Sequence, residues 1–230
     1  KLTPELEKAI NAAEKMQALE DLYLPYRPKR RTRAQIAREN GLEPLAQLIE
    51  EQGKPALPLE QLAAMHIDEE KGIATVEDAW QGACDIVAEN ISDSADVRKL
   101  LRKELQITGE LVSELIIDEK DAPEFLQYRD YSEPVRQLPP HRILAMNRGE
   151  DKKALKISLR CPDEKLIAKV AQKLNLKEQS PFYTYYHNAL TDSYKRLLLP
   201  SLERELRNEL TEKAEKQAIS VFAANLRQLL

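Results

Sequence analysis

Residues 75–92 read TVEDAWQGACDIVAENIS. Thr75-Val-Glu-Asp78 is a helix start, with a hydroxyl residue ahead of an acidic first turn. Val76, Ala79, Trp80, Ala83, Ile86, Val87 and Ile91 then recur at helical spacing and form one apolar stripe. A helix with such a stripe needs other helices, or a sheet, to bury it. The rest of the chain supplies helices. Leu, Ala, Glu, Lys, Arg and Gln dominate, and these are strong helix formers. Glycine is scarce at 6 residues, and aromatics make up 5%. The expected fold is all-α and multihelical, with at most one or two short β-strands.

Outward from that stripe, the punctuation marks further helices. Thr3-Pro4 caps a first helix, whose apolar positions Leu6, Ile10, Ala13, Leu19 and Leu22 run on until Pro25 and Pro28 end it. Thr32 with Gln35 forms a capping-box pair, so a second helix starts at about Arg33 and stops at Gly41. A third begins at Pro44 and ends at Gly53. LEQLAAM gives one short helical piece after Pro58. Ser92 or Asp93 caps the helix after the stripe, which runs to about Leu105 before Gly109 breaks it. ELVSELIID, residues 110–118, fits a strand or a helix. A short helix is expected near Pro123–Tyr128. HRILAMNRG follows Pro139-Pro140 as a helix ending at Gly149. ALKISLR, residues 154–160, alternates as a half-buried strand does, and must pair with 110–118 or with a strand outside the chain. Helices Asp163–Leu174, Phe182–Leu199 and Leu202–Leu230 complete the pattern. Residues 60–118 are compact enough to form a small helical module.

The charge balance restricts the function. Net charge is −4 and the pI about 5.6, so nucleic-acid contact must come from a local patch. Cys84 and Cys161 form no CxxC pair and no disulfide framework, which suits a reducing cytosol. No apolar run reaches the roughly 18 residues of a membrane span, and no signal peptide is visible. The chain starts on Lys1 and ends inside an apolar helical pattern, AISVFAANLRQLL, as expected of a fragment of something longer.

The search for chemistry yields no catalytic set. No GxSxG, GxxxxGK[ST] or GxGxxG is present, which argues against a nucleotide cofactor or a small-molecule substrate. His66, His141 and His187 have no second ligand at helical spacing, so no metal site is expected. Cys84 lies on the apolar stripe and reads as core, and Cys161 reads as packing. YTYYH, residues 183–187, could stack bases, although its spacing with Leu190 and Tyr194 fits helix packing better.

The exception is LYLPYRPKRRTR, residues 22–33, where Arg27, Lys29, Arg30, Arg31 and Arg33 crowd a proline-stiffened connector. Guanidinium forks suit phosphates, and Tyr23 and Tyr26 could stack on a base. Equally, the tyrosines could pack and the arginines pair with the chain's own carboxylates, of which it has 39.

LEDLYLPYRPKRRTRAQIARENGLEPLA (19–46), DYSEPVRQLPPHRILAMNRGE (130–150) and DSYKRLLLPSLERELRNELTEKAEKQAISVFAANLRQLL (192–230) together resemble the Tex family of bacterial transcription accessory proteins. The resemblance covers essentially the whole chain, in order. It implies the N-terminal helical region of a large cytoplasmic protein. That protein would also carry a helix-turn-helix-like module, a YqgF-type ribonuclease-H-like domain, helix-hairpin-helix motifs and a C-terminal RNA-binding domain. On that basis residues 60–118 are assigned to the helix-turn-helix-like module. Residues 1–59 and 119–230 form a discontinuous multihelical region, and the C-terminal end leads into the YqgF-like domain. The expected role is a non-catalytic scaffold in a protein that binds RNA or DNA, without cofactor. The alternative is a scaffold that docks RNA polymerase or other transcription machinery without touching nucleic acid itself.

Overall fold

The computed structural model describes residues 3–13, 16–27 and 31–229. The chain is mostly helical. In order, the helices are α1 (Pro4–Asn11), α2 (Met16–Tyr23), α3 (Arg33–Glu39), α4 (Glu43–Glu51), α5 (Leu59–Ala64), α6 (Val76–Asp93), α7 (Ala95–Thr108), α8 (Pro140–Asp151), α9 (Asp163–Lys173), α10 (Tyr183–Asp192) and α11 (Leu199–Leu229). The strands are β1 (Glu110–Leu115), β2 (Asp130–Pro134) and β3 (Leu155–Arg160). The chain divides into two compact units, residues 1–100 with 164–200 and residues 101–163 with 201–230.

The first unit is built on α6. Thr75 accepts a hydrogen bond from the Asp78 N–H (3.1 Å), and the Asp78 carboxylate accepts one from Thr75 N–H (3.0 Å), so both orphan donors are satisfied. Ala79, Trp80, Ala83, Ile86, Val87 and Ile91 are buried, as the stripe demands. Helices α3, α4, α5 and α10 pack against it. Gly82 sits where a Cβ would lie 2.3 Å from Leu42 Cδ1, so only glycine allows this approach.

The second unit carries a three-stranded antiparallel sheet in the order β2-β1-β3. Glu110–Leu115 pairs with Arg160–Leu155, which answers the pairing question left by the strand at 154–160. β1 is ambiguous in sequence because it is central: Leu111, Val112 and Ser113 are all buried, so alternation is lost. β2 is not identified in the sequence. DYSEP is polar and ends at a proline, features that belong to an edge strand. At the other edge, the Leu159 N–H donates to the Glu203 carboxylate (3.0 Å). Leu111, Phe125, Met146, Leu155 and Ile157 form the core, with Ala214 of α11.

Several helix ends differ from expectation. The single helix expected up to Pro25 is two, α1 and α2, followed by a 3₁₀ turn at Leu24–Tyr26. The cap of α7 is Ser94, whose Oγ accepts from the Val97 N–H (3.4 Å). α4 closes on Gln52 in the left-handed region (φ 53°) instead of on Gly53. A tertiary contact favours this. The Gln52 amide donates to Asn175 O (3.2 Å) and accepts from Lys177 N–H (2.6 Å). Gly149 does not end α8. It lies inside the helix, where a Cβ would come within 2.5 Å of Leu155 Cδ1. The break expected between helices Phe182–Leu199 and Leu202–Leu230 is absent, and Pro200 lies within the first turn of α11. Residues Ser193–Leu198 widen into a π turn just ahead of it, and α11 begins at Leu199. A proline has no N–H to donate and crowds the carbonyl of the preceding turn. π turns are local insertions that accommodate such interruptions within a helix.

Candidate nucleic-acid interface

The basic connector is held in place before and after its charged residues. Before it, Asp21 of α2 and Arg98 of α7 form a buried ion pair (Nε–Oδ1 2.7 Å), each side chain about 6% exposed. After it, Thr32 caps α3 by accepting from the Gln35 N–H (3.0 Å). The capping box is only half formed. The Gln35 side chain donates forward to Glu39 (3.3 Å), while the Thr32 hydroxyl donates to Glu89 of α6 (3.0 Å). A cap that also bonds across to a core helix fixes where α3, and so Arg33, begins.

Of the five basic residues, Lys29 and Arg30 lie outside the described residues. Arg27, Arg31 and Arg33 are all exposed. Arg31 reaches Glu39 at 3.2 Å, with the two side chains 70% and 48% exposed. Such a pair is worth about 0–1 kcal/mol. Among the described residues, Arg27 and Arg33 have no carboxylate within ion-pair distance. Tyr23 and Tyr26 are each 55% exposed, so they do not serve as core.

Arg38 was not singled out in the sequence, yet it makes the strongest contacts nearby. Its guanidinium bonds Glu89 (2.5 Å), Asn90 (2.8 Å) and Glu43 (3.1 Å). Burial disfavours its charge, but the bonds to Glu89 and Glu43 and their attraction outweigh that cost and hold its pKa above the ordinary arginine value. No local motif announces it, because Glu89 and Asn90 come from a distant helix. Arg27, Thr32, Gln35 and Arg38 also border a cavity of about 630 Å³, together with Glu89 and Asp93.

Other candidates settle as follows. Cys84 is buried, and its thiol donates to Tyr185 O (3.5 Å). Burial pushes its pKa up to about 12, so it stays protonated at neutral pH. Cys161 is half-buried, and its thiol donates to Asp163 (3.2 Å). Among the described residues no cluster of His, Cys, Asp and Glu could hold a metal ion, and no helix is long and apolar enough to cross a membrane. Within YTYYH, Tyr186 is buried while Tyr183 and Tyr185 are half-buried.

A mostly helical protein in which buried carboxylates fix the helices on either side of a basic stretch is the class this fold defines. The family follows from comparison: a family model described as Tex central region-like matches residues 54–222, and the chain belongs to the Tex family. Protein tex of Bordetella pertussis is 40% identical over 244 residues, covering 100% of this chain and 31% of that protein. The uncharacterized protein YdcI of Bacillus subtilis is 41% identical over 238 residues, covering 100% of this chain and 32% of that protein. A human relative, S1 RNA-binding domain-containing protein 1, is 34% identical over 245 residues, covering 100% of this chain and 24% of that protein. The chain thus spans about a quarter to a third of the length of these relatives.

Proposed function

We propose that this chain is a non-catalytic helical scaffold within a cytoplasmic transcription accessory protein that binds RNA or DNA. Its basic connector contacts phosphates through Arg27, Lys29, Arg30, Arg31 and Arg33, and a helix-turn-helix-like module occupies residues 60–118. The supporting observation is the contrast in how arginines are used. Arg38 and Arg98 are consumed by carboxylates, whereas Arg27 and Arg33 are exposed without such partners among the described residues. Each phosphate neutralised releases counterions, so the contact carries a salt slope of about −0.7 to −0.9 per phosphate. Membership in the Tex family and a relative named for an S1 RNA-binding domain support the same function.

The test is to replace Arg27, Lys29, Arg30, Arg31 and Arg33 with Ser and measure nucleic-acid affinity against salt. Expected are weaker binding and a slope shallower by about two to four units. Unchanged affinity and slope would remove the connector as a contact.

A second role has one observation in its favour: Arg31 already pairs with the chain's own Glu39. In that role the connector braces α3, and the scaffold docks other transcription machinery such as RNA polymerase. Binding to nucleic acid that survives the five-fold substitution, together with lost stability, would favour it.

A further inference from the structure

Helices α6 and α10 line a cavity of about 370 Å³, within the roughly 300–1,000 Å³ of small-ligand clefts. One wall is aromatic. Trp80 of α6 and Tyr185 of α10 stack with ring centroids 4.5 Å apart and planes 24° from parallel. Trp80 is buried, whereas Tyr185 is half-buried and keeps part of its surface open. The indole N–H of Trp80 meets no acceptor among the described residues, an unmet donor in that wall.

Around the aromatic wall the charge is negative. Glu77, Gln81 and Asp85 recur at one-turn spacing on α6, and α10 adds Asn188 and Asp192. Arg196, in the π turn after α10, offsets part of this charge. It bonds Asp192 (2.5 and 3.0 Å) and lies 3.8 Å from Asp85. Glu77 is exposed and has no cation within ion-pair distance among the described residues. Burial, and after it Cys84, Glu77 and Glu60, hold the Tyr185 phenol above its usual pKa, so the ring sits in a negative field.

We propose that this cavity receives an arginine side chain of a partner peptide, with the guanidinium against Tyr185 and its N–H groups on Glu77 and Asp85. A guanidinium is planar, weakly hydrated and permanently charged, so it stacks on an aromatic ring while it forks onto carboxylate and amide oxygens. A lysine ammonium brings the charge without the plane. The unmet indole donor calls for an acceptor, which a peptide carbonyl supplies and a simple polyamine lacks. The same carboxylates repel phosphate, so this site is distinct in chemistry from the basic connector and does not depend on it.

Trp80 is the only tryptophan in the chain, so its fluorescence reports on the cavity directly. The chain is titrated with the capped peptide Ac-Gly-Arg-Gly-NH2, with its lysine counterpart, and with the same peptide carrying citrulline, a neutral urea of matching shape. Expected is a saturable fluorescence change for the arginine peptide with a Kd below about 10 mM. The citrulline peptide should bind at least about tenfold more weakly, and the lysine peptide in between. Glu77→Gln and Asp85→Asn should each raise the arginine-peptide Kd about threefold to tenfold. Equal responses to arginine and citrulline, or to arginine and lysine, overturn the proposal, and these comparisons need no variant to fold. A Kd unchanged in both variants overturns it as well. So does a fluorescence change produced by a single-stranded RNA of about 12 nucleotides and not by the arginine peptide.

Discussion

Arg31 lies just before α3 and Arg38 in its last turn, and the molecule treats them in opposite ways. Arg38 turns inward and meets three partners, two of them on α6. Arg31 turns outward and meets one exposed carboxylate. The difference lies in burial: Glu89 is a buried carboxylate that requires a cation, whereas Glu39 is hydrated already. Charge counting in the sequence cannot separate the two. The useful distinction is whether a buried carboxylate reaches the arginine, and on that basis Arg38 and Arg98 are structural.

Substitutions can break this contrast, and the effects should fall in a definite order. Asp21→Ala removes a buried carboxylate bonded to Arg98 inside the first unit and should cost about 3–5 kcal/mol in urea unfolding. Pairing it with Arg98→Met should recover much of that loss, because the burden is the uncompensated charge. Arg38→Ala should cost about 1–3 kcal/mol, since Glu89 loses its guanidinium and stays buried. Arg31→Ala should change stability by less than about 1 kcal/mol. A large loss there would move Arg31 into the structural group.

The smallest effect is a pH dependence. Burial raises the pKa of Asp85 despite Arg196 and Arg33. The folded chain then holds that proton more tightly than the unfolded chain, so ionising Asp85 opposes folding. Its cost is fully present above the raised folded pKa and disappears as pH falls below the unfolded value. Asp85→Asn should therefore be more stable than the parent at pH 7, with the gain vanishing in acid. Thermal melts across that range would show an unchanged difference if Asp85 were not the group concerned.

Local chemistry made much of this fold legible. Thr3, Thr32 and Thr75 each accept the capping hydrogen bond their position predicts. The alternation of ALKISLR predicts β3, and the breaks at Gly41 and Gly109 fall where helices stop. What escaped is non-local. Gly149 reads as a terminator but serves close packing against Leu155, and Pro200 reads as a break but follows a π turn. Gln52 adopts the turn conformation expected of Gly53 because residues 175–177 offer it partners. At the candidate site the connector is visible as charge. Of its supports, Arg98 and Glu89 come from elements tens of residues away.

The bond from Leu159 N–H to Glu203 acts at a boundary of the sheet. β3 is an edge, and an open edge invites a strand from another molecule. A carboxylate placed on one of its donors occupies a position that an incoming strand would need and sets a negative charge in its path. Glu203 therefore works as a stop codon for sheet growth, keeping a three-stranded element from becoming the seed of an intermolecular one.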